Sequence, residues 1–179
     1  MTVTLETGST DRPISITSIS NATSASGTYT VQENDLSSDL TVKSISVSGT
    51  ISDASDQAMV DFSIGANLAS SSAIVVDGVA PTVASVKSTS TNTTYGTGAS
   101  INITVNFSES VTLSSGGSMT VTLNSATDRT VSITSISSAS SASGTYTVVE
   151  GDSSADLSVT NIALSDTGAT LSDAAGNAM

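Results

Sequence analysis

In residues 100–108, apolar Ile101, Ile103, Val105 and Phe107 alternate with polar Asn102, Thr104 and Asn106. Successive side chains of a strand point to opposite faces, so this two-residue period predicts a half-buried β-strand. The period recurs at Met119-Val121-Leu123, Val131-Ile133, Tyr146-Val148 and Leu157-Val159, each run bounded by Gly, Ser, Asn or Asp. No window carries a 3.6-residue period, and β-branched Thr, Val and Ile dominate the runs. Strands are expected near residues 82–88, 100–107, 119–124, 129–136, 145–150 and 156–163, with residues 59–76 as the template for a seventh. About seven short antiparallel strands predict an all-β domain built as a two-sheet sandwich.

The pattern occurs twice. Residues 1–59 match residues 119–179 with more than half the positions identical, a period of about 118 residues. Met1 aligns with Met119 inside the chain, and Met59 is followed by a segment that its counterpart Met179 lacks. These offsets lead to the expectation that the sequence samples about one and a half units of a longer tandem array. Asp77-Gly78-Val79-Ala80-Pro81 separates the copies, and Gly and Pro break regular structure. The expected domains are therefore residues 1–76, a repeat without its N-terminal strands, and residues 77–179, a repeat without its last strand.

The strings DGVAPTVASVKS, SINITVNFSESV, GTYTVVEGDSSADLSV and LSDAAGNAM, in this order and spacing, resemble the bacterial Ig-like repeats strung through large cell-surface adhesins and surface-layer-type proteins. The resemblance covers essentially the whole chain. It rests on Asp77 with Pro81, the Phe107-Ser108-Glu109 run, Gly151-Asp152 with Asp156-Leu157, and residues 173–177. It implies tandem immunoglobulin-like (cadherin-like) antiparallel β-sandwich repeats, an extracellular structural module often associated with calcium, and no catalysis. The first copy departs from the second at Asn34, where the second has Gly151, and at Asp56-Gln57, where the second has Gly176-Asn177.

Composition narrows the chemistry further. Ser and Thr supply 67 of 179 residues, and there is no Cys, His or Trp. Ser-His-Asp and Cys-His machinery and ordinary zinc or copper sites are thereby excluded. Sixteen acids against four bases (Arg12, Lys43, Lys87, Arg129) give a net charge of -12, which argues against nucleic acid or an anionic membrane as partner. No apolar stretch is long enough to insert into a membrane. P-loop, G-x-G-x-x-G, S-x-x-K and EF-hand patterns are absent. No enzyme activity is expected.

What the acids do offer is oxygen. Alternating strand directions place Glu109, Asp166, Asp173 and Asn177 at one end of a unit, and Asp152 and Asp156 at the other. In the first copy the latter end carries Glu33, Asp35 and Asp39. Calcium takes six to eight oxygen ligands, and extracellular modules bind it at about 10⁻⁴ to 10⁻³ M. The expected cation ligands are Asp35, Asp39, Asp77, Glu109, Asp173 and Asn177, with calcium stiffening the joint between successive repeats.

The leading expectation is thus a structural spacer of a large extracellular surface protein, whose partners are neighbouring copies of the same repeat. An alternative is a filament subunit that assembles into a fibre or layer by strand exchange, since both units have unpaired edges to fill. A weaker one is a carbohydrate- or ice-binding module working through Thr and Ser ladders, with a surface glycan as partner.

Overall fold

Strand formation follows the alternation closely. The computed structural model describes residues 1–164 and 168–179; Asp166, expected among the acids of one end, lies outside the described residues. The first five strands are β1 (Thr2–Glu6), β2 (Arg12–Ser15), β3 (Leu36–Ser37), β4 (Thr41–Ser46) and β5 (Val76–Asp77). They are followed by β6 (Val83–Lys87), β7 (Ser100–Leu113), β8 (Met119–Leu123), β9 (Arg129–Ile133), β10 (Ala139–Thr147), β11 (Val159–Leu164) and β12 (Leu171–Ser172). A single 3-10 turn spans Leu68–Ser70, and no α-helix occurs among the described residues. Two compact units divide the chain at Met1–Val79 and Ala80–Met179. The division falls three residues later than expected because Asp77 pairs with Leu36 and the Gly78 N–H donates to the Asp35 carbonyl.

In the second unit, β7 is the spine. β10 pairs along one edge of it, from Ala139 opposite Val111 to Thr147 opposite Ser100. β6 and β12 take the other edge, at residues 104–107 and 112–113 respectively. A second antiparallel sheet runs β11-β8-β9. The inward residues of both sheets merge into one core that includes Val105, Val111, Met119, Val121, Leu123, Ile133 and Leu171. The result is sandwich-like, with a core of small aliphatic side chains and few rings.

Several expected boundaries shift: the strand expected at 156–163 begins at Val159, and of residues 59–76 only Val76 is in a strand. The strand expected at 100–107 continues to Leu113, keeping its phase so that Val111 and Leu113 are buried. The strand expected at 145–150 instead covers Ala139–Thr147, because those main-chain groups pair with β7. The strand expected at 129–136 ends at Ile133, although Ile136 still enters the core from the loop.

The first unit reproduces half of this plan. Its sheet β2-β1-β4 pairs Leu5 with Arg12 and with Val42, as the second unit pairs Leu123 with Arg129 and with Val159. Its core is thin, built on Leu5, Leu40 and Val76. Residues 22–30 correspond to β10 in sequence but form no strand.

Candidate functional site

Two acids at corresponding positions build the same cluster in each unit. Asp35 is almost fully buried and accepts from Arg12 Nε at 2.7 Å, from the Tyr29 hydroxyl at 2.5 Å and from the Gln32 N–H at 2.9 Å. Asp152 accepts from Arg129 Nε at 2.6 Å, the Tyr146 hydroxyl at 2.6 Å and the Val149 N–H at 2.8 Å. β2 and β9 supply the arginines, and the acids lie in the loops that follow Tyr29 and Tyr146. Each cluster ties a loop to the sheet with a matched charge.

The electrostatics follow from these contacts. Burial pushes the Asp35 carboxyl up, but the Tyr29 hydroxyl, the Gln32 N–H and the Arg12 guanidinium outweigh it and leave its pKa lowered. At Asp152 the Tyr146 hydrogen bond, the Val149 N–H and Arg129 bring the pKa down to about 2. Tyr29 moves the opposite way, to about 12, through burial and the neighbouring Asp35 charge. Both oxygens of Asp35, expected to ligate a cation, are therefore committed to protein donors beside a guanidinium, and Asp35 leaves the ligand set. The arginine and tyrosine partners are what the sequence reading missed. The signal was available, because Arg12, Tyr29 and Asp35 recur as Arg129, Tyr146 and Asp152 at one shared offset.

Of the remaining expected ligands, Asp39 and Asp77 belong to the first unit and Glu109, Asp173 and Asn177 to the second. Asp39 is half-buried, with Oδ1 shielded and without a hydrogen-bond partner among the described residues. Asp77 belongs to β5 of the first unit, where its Oδ1 accepts from the Val79 N–H at 3.1 Å. In the second unit Glu109 and Asp173 come together, with carboxylate oxygens within 4.8 Å of one another. Glu109 occupies an inward-facing position of β7, between Phe107 and Val111, and is half-buried. Asp173 is buried.

Asp173 opens a short hairpin turn. Its Oδ1 accepts from the Asn177 N–H at 2.8 Å and its Oδ2 from Asn177 Nδ2 at 2.7 Å. Burial raises its pKa, and the Asn177 side chain with the 175–177 amides more than reverses that, so the group is held below the ordinary carboxylate range. The first unit builds the same turn, with Asp53 Oδ1 accepting from the Ser55 and Gln57 N–H groups. There Asp56 adopts φ +59° where the second unit has Gly176 at +94°. Asp tolerates this left-handed conformation better than most residues, so the substitution leaves the turn intact. Two ionised carboxylates this close repel one another unless a cation or proton lies between them. They suit a hard, oxygen-seeking cation, whose other ligands would be carbonyls or water.

The second unit also holds an open cleft of about 320 Å³, lined by Ser88, Asn92, Tyr95, Tyr146, Ser154 and Asp156 among others. Comparison with protein families, with curated proteins and with solved structures finds no match to this chain.

Proposed function

We propose that the chain consists of tandem Ig-like β-sandwich repeats that act as a structural spacer in a large extracellular surface protein of the adhesin or surface-layer type. The observation that supports this most is repetition at the level of geometry. Two stretches about 118 residues apart share strand register, the Arg-Asp-Tyr tie and the Asp-initiated turn. Modules that carry their own core and ties extend an array by simple addition, so length scales with copy number. The reading assigns no catalysis, and tyrosines locked as donors to ionised aspartates fit a structural role. The test is small-angle scattering from arrays of two, four and six copies. A maximum dimension that rises in proportion to copy number is expected, and one that levels off would refute the spacer.

We further propose calcium at the Glu109–Asp173 end of the second unit. At about 10 mM calcium and a Kd of about 10⁻⁴ to 10⁻³ M, binding to the folded state adds roughly 1.4–2.7 kcal/mol. That corresponds to a rise of about 5 °C or more in the melting temperature of a unit this size. Calorimetry with calcium and with chelator checks it. Glu109→Gln is expected to abolish the difference, and superimposable wild-type curves would remove the cation. A second reading, glycan binding, is favoured by the hydroxyl-lined cleft with Tyr95 and Tyr146 in its wall.

A further inference from the structure

β4 is the outer strand of its sheet. The order β2-β1-β4 gives it one strand neighbour, β1, among the described residues. The second unit leaves the corresponding strand in the same place, since β11 pairs with β8 while β6 and β7 join the other sheet. The outer position of β4 is therefore a property of the fold. Such an edge presents main-chain N–H and C=O groups with which a strand of another chain can pair. β4 holds one charge to discourage this, and Lys43 Nζ is matched at 2.6 Å by Asp11, which adjoins β2 on the far side of β1. The register with β1 slips between Leu5 and Thr4 and leaves Lys43 over as a bulge, which alters the edge just beyond Val42.

At Val42 itself the edge is closed by a side chain. Asn67 Oδ1 accepts from the Val42 N–H at 2.8 Å, and Asn67 Nδ2 donates to the Val42 carbonyl at 2.9 Å. These are the two bonds that opposed residues exchange in a hydrogen-bonded antiparallel pair. The carboxamide thus stands in for the peptide group of a neighbouring strand. Asn67 is fixed in turn, because its Oδ1 also accepts from the Leu68 N–H at 2.8 Å and Leu68 packs against the core around Leu5. Farther along the same segment, the Ile74 carbonyl accepts from the Leu40 N–H at 2.7 Å. Residues 67–74 are strapped in this way along the start of β4.

From this we infer that Asn67 is an edge guard, an intramolecular clasp that keeps β4 from pairing with the same edge of a second copy of this chain. Val42 offers a donor and an acceptor side by side, so opening the clasp creates an edge complementary to itself. Antiparallel pairing then sets Val42 of one copy opposite Val42 of the other, an isologous contact that closes at two chains. The inference uses the geometry of the first unit alone and depends on neither the spacer nor the calcium reading.

Asn67→Ala in the full chain tests it, by sedimentation velocity and amide hydrogen exchange across concentrations from about 10 µM to about 1 mM. The mass is expected to rise toward two chains, and exchange of residues 40–44 to slow about tenfold across the series. In wild type, exchange of these residues is expected to be the same at every concentration. Asn67→Ser separates the clasp from the cap: it keeps a capping oxygen for the Leu68–Ser70 turn but has too short a side chain to span both Val42 groups. It is expected to show the same slowing, and it decides the matter should the alanine variant fail to fold. Leu68→Ala loosens the same segment while leaving the carboxamide in place, and is expected to match wild type. Exchange that does not vary with concentration in the folded Asn67 variants, or equal slowing in Leu68→Ala or wild type, overturns the inference.

Discussion

Leu123→Ala is expected to destabilise the second unit by about 2–5 kcal/mol, a large share of the roughly 5–15 kcal/mol that holds an ordinary domain together. Leu123 is 1% exposed on the central strand of its sheet, and its core cluster takes side chains from both sheets. Truncation therefore leaves a cavity walled by two sheets that cannot close in independently. The matching change Leu5→Ala is expected to fall at the low end of that range, because the core around Leu5 contains only two other buried side chains, Leu40 and Val76. Urea unfolding followed by far-ultraviolet circular dichroism measures both variants. A loss below about 1 kcal/mol for Leu123→Ala would mean that the two sheets do not share a continuous core.

The second large effect comes from Asp152. Its folded pKa of about 2 lies below the ordinary 3.8, so the ionised form is bound more tightly in the folded state than in the unfolded one. A depressed carboxyl pKa contributes stability that is fully present above the unfolded value and is lost as pH falls through the folded value. Asp152→Asn keeps the shape but removes the charge and leaves Arg129 unmatched in a partly buried position. The variant is expected to be clearly less stable than wild type at pH 7 and pH 5. The gap should narrow as pH drops from about 4 to about 2, where the wild-type carboxyl becomes protonated too. Unfolding at pH 7, 4 and 2 checks this, and a gap that is constant across that range would show that the carboxylate charge is not what the cluster uses.

Much of the second unit could be read directly from alternation. Ile101 to Phe107 and Met119 to Leu123 announce their strands because polar and apolar residues change places at every step. The continuation of β7 was hidden by Ser108-Glu109-Ser110, which reads as a loop although the phase runs on to Val111 and Leu113. β10 was obscured for a different reason. Ala139 to Gly144 offer little hydrophobic contrast, and Gly144 is there because β9 lies too close for a side chain. Its strand state depends on a partner distant in sequence, which also explains why residues 22–30 do not copy it. At the candidate site, Glu109 and Asp173, expected at one end of a unit, have carboxylate oxygens within 4.8 Å of one another. Asp35 was expected to ligate a cation because the arginine and tyrosine that occupy its oxygens come from other parts of the chain and meet it only in the fold.

All four basic residues sit within strands: Arg12 in β2, Lys43 in β4, Lys87 in β6 and Arg129 in β9. The long irregular stretches, residues 17–34 and 47–75, contain neither Lys nor Arg. Trypsin-like proteases must pull an extended, unpaired segment into their cleft before they cut after a basic side chain. Here every such residue lies in a strand, and the bond after Arg12 is further guarded by Pro13. The segments that could be drawn out offer nothing to cleave, so the distribution of charge protects the folded chain against an entire class of digestive enzyme.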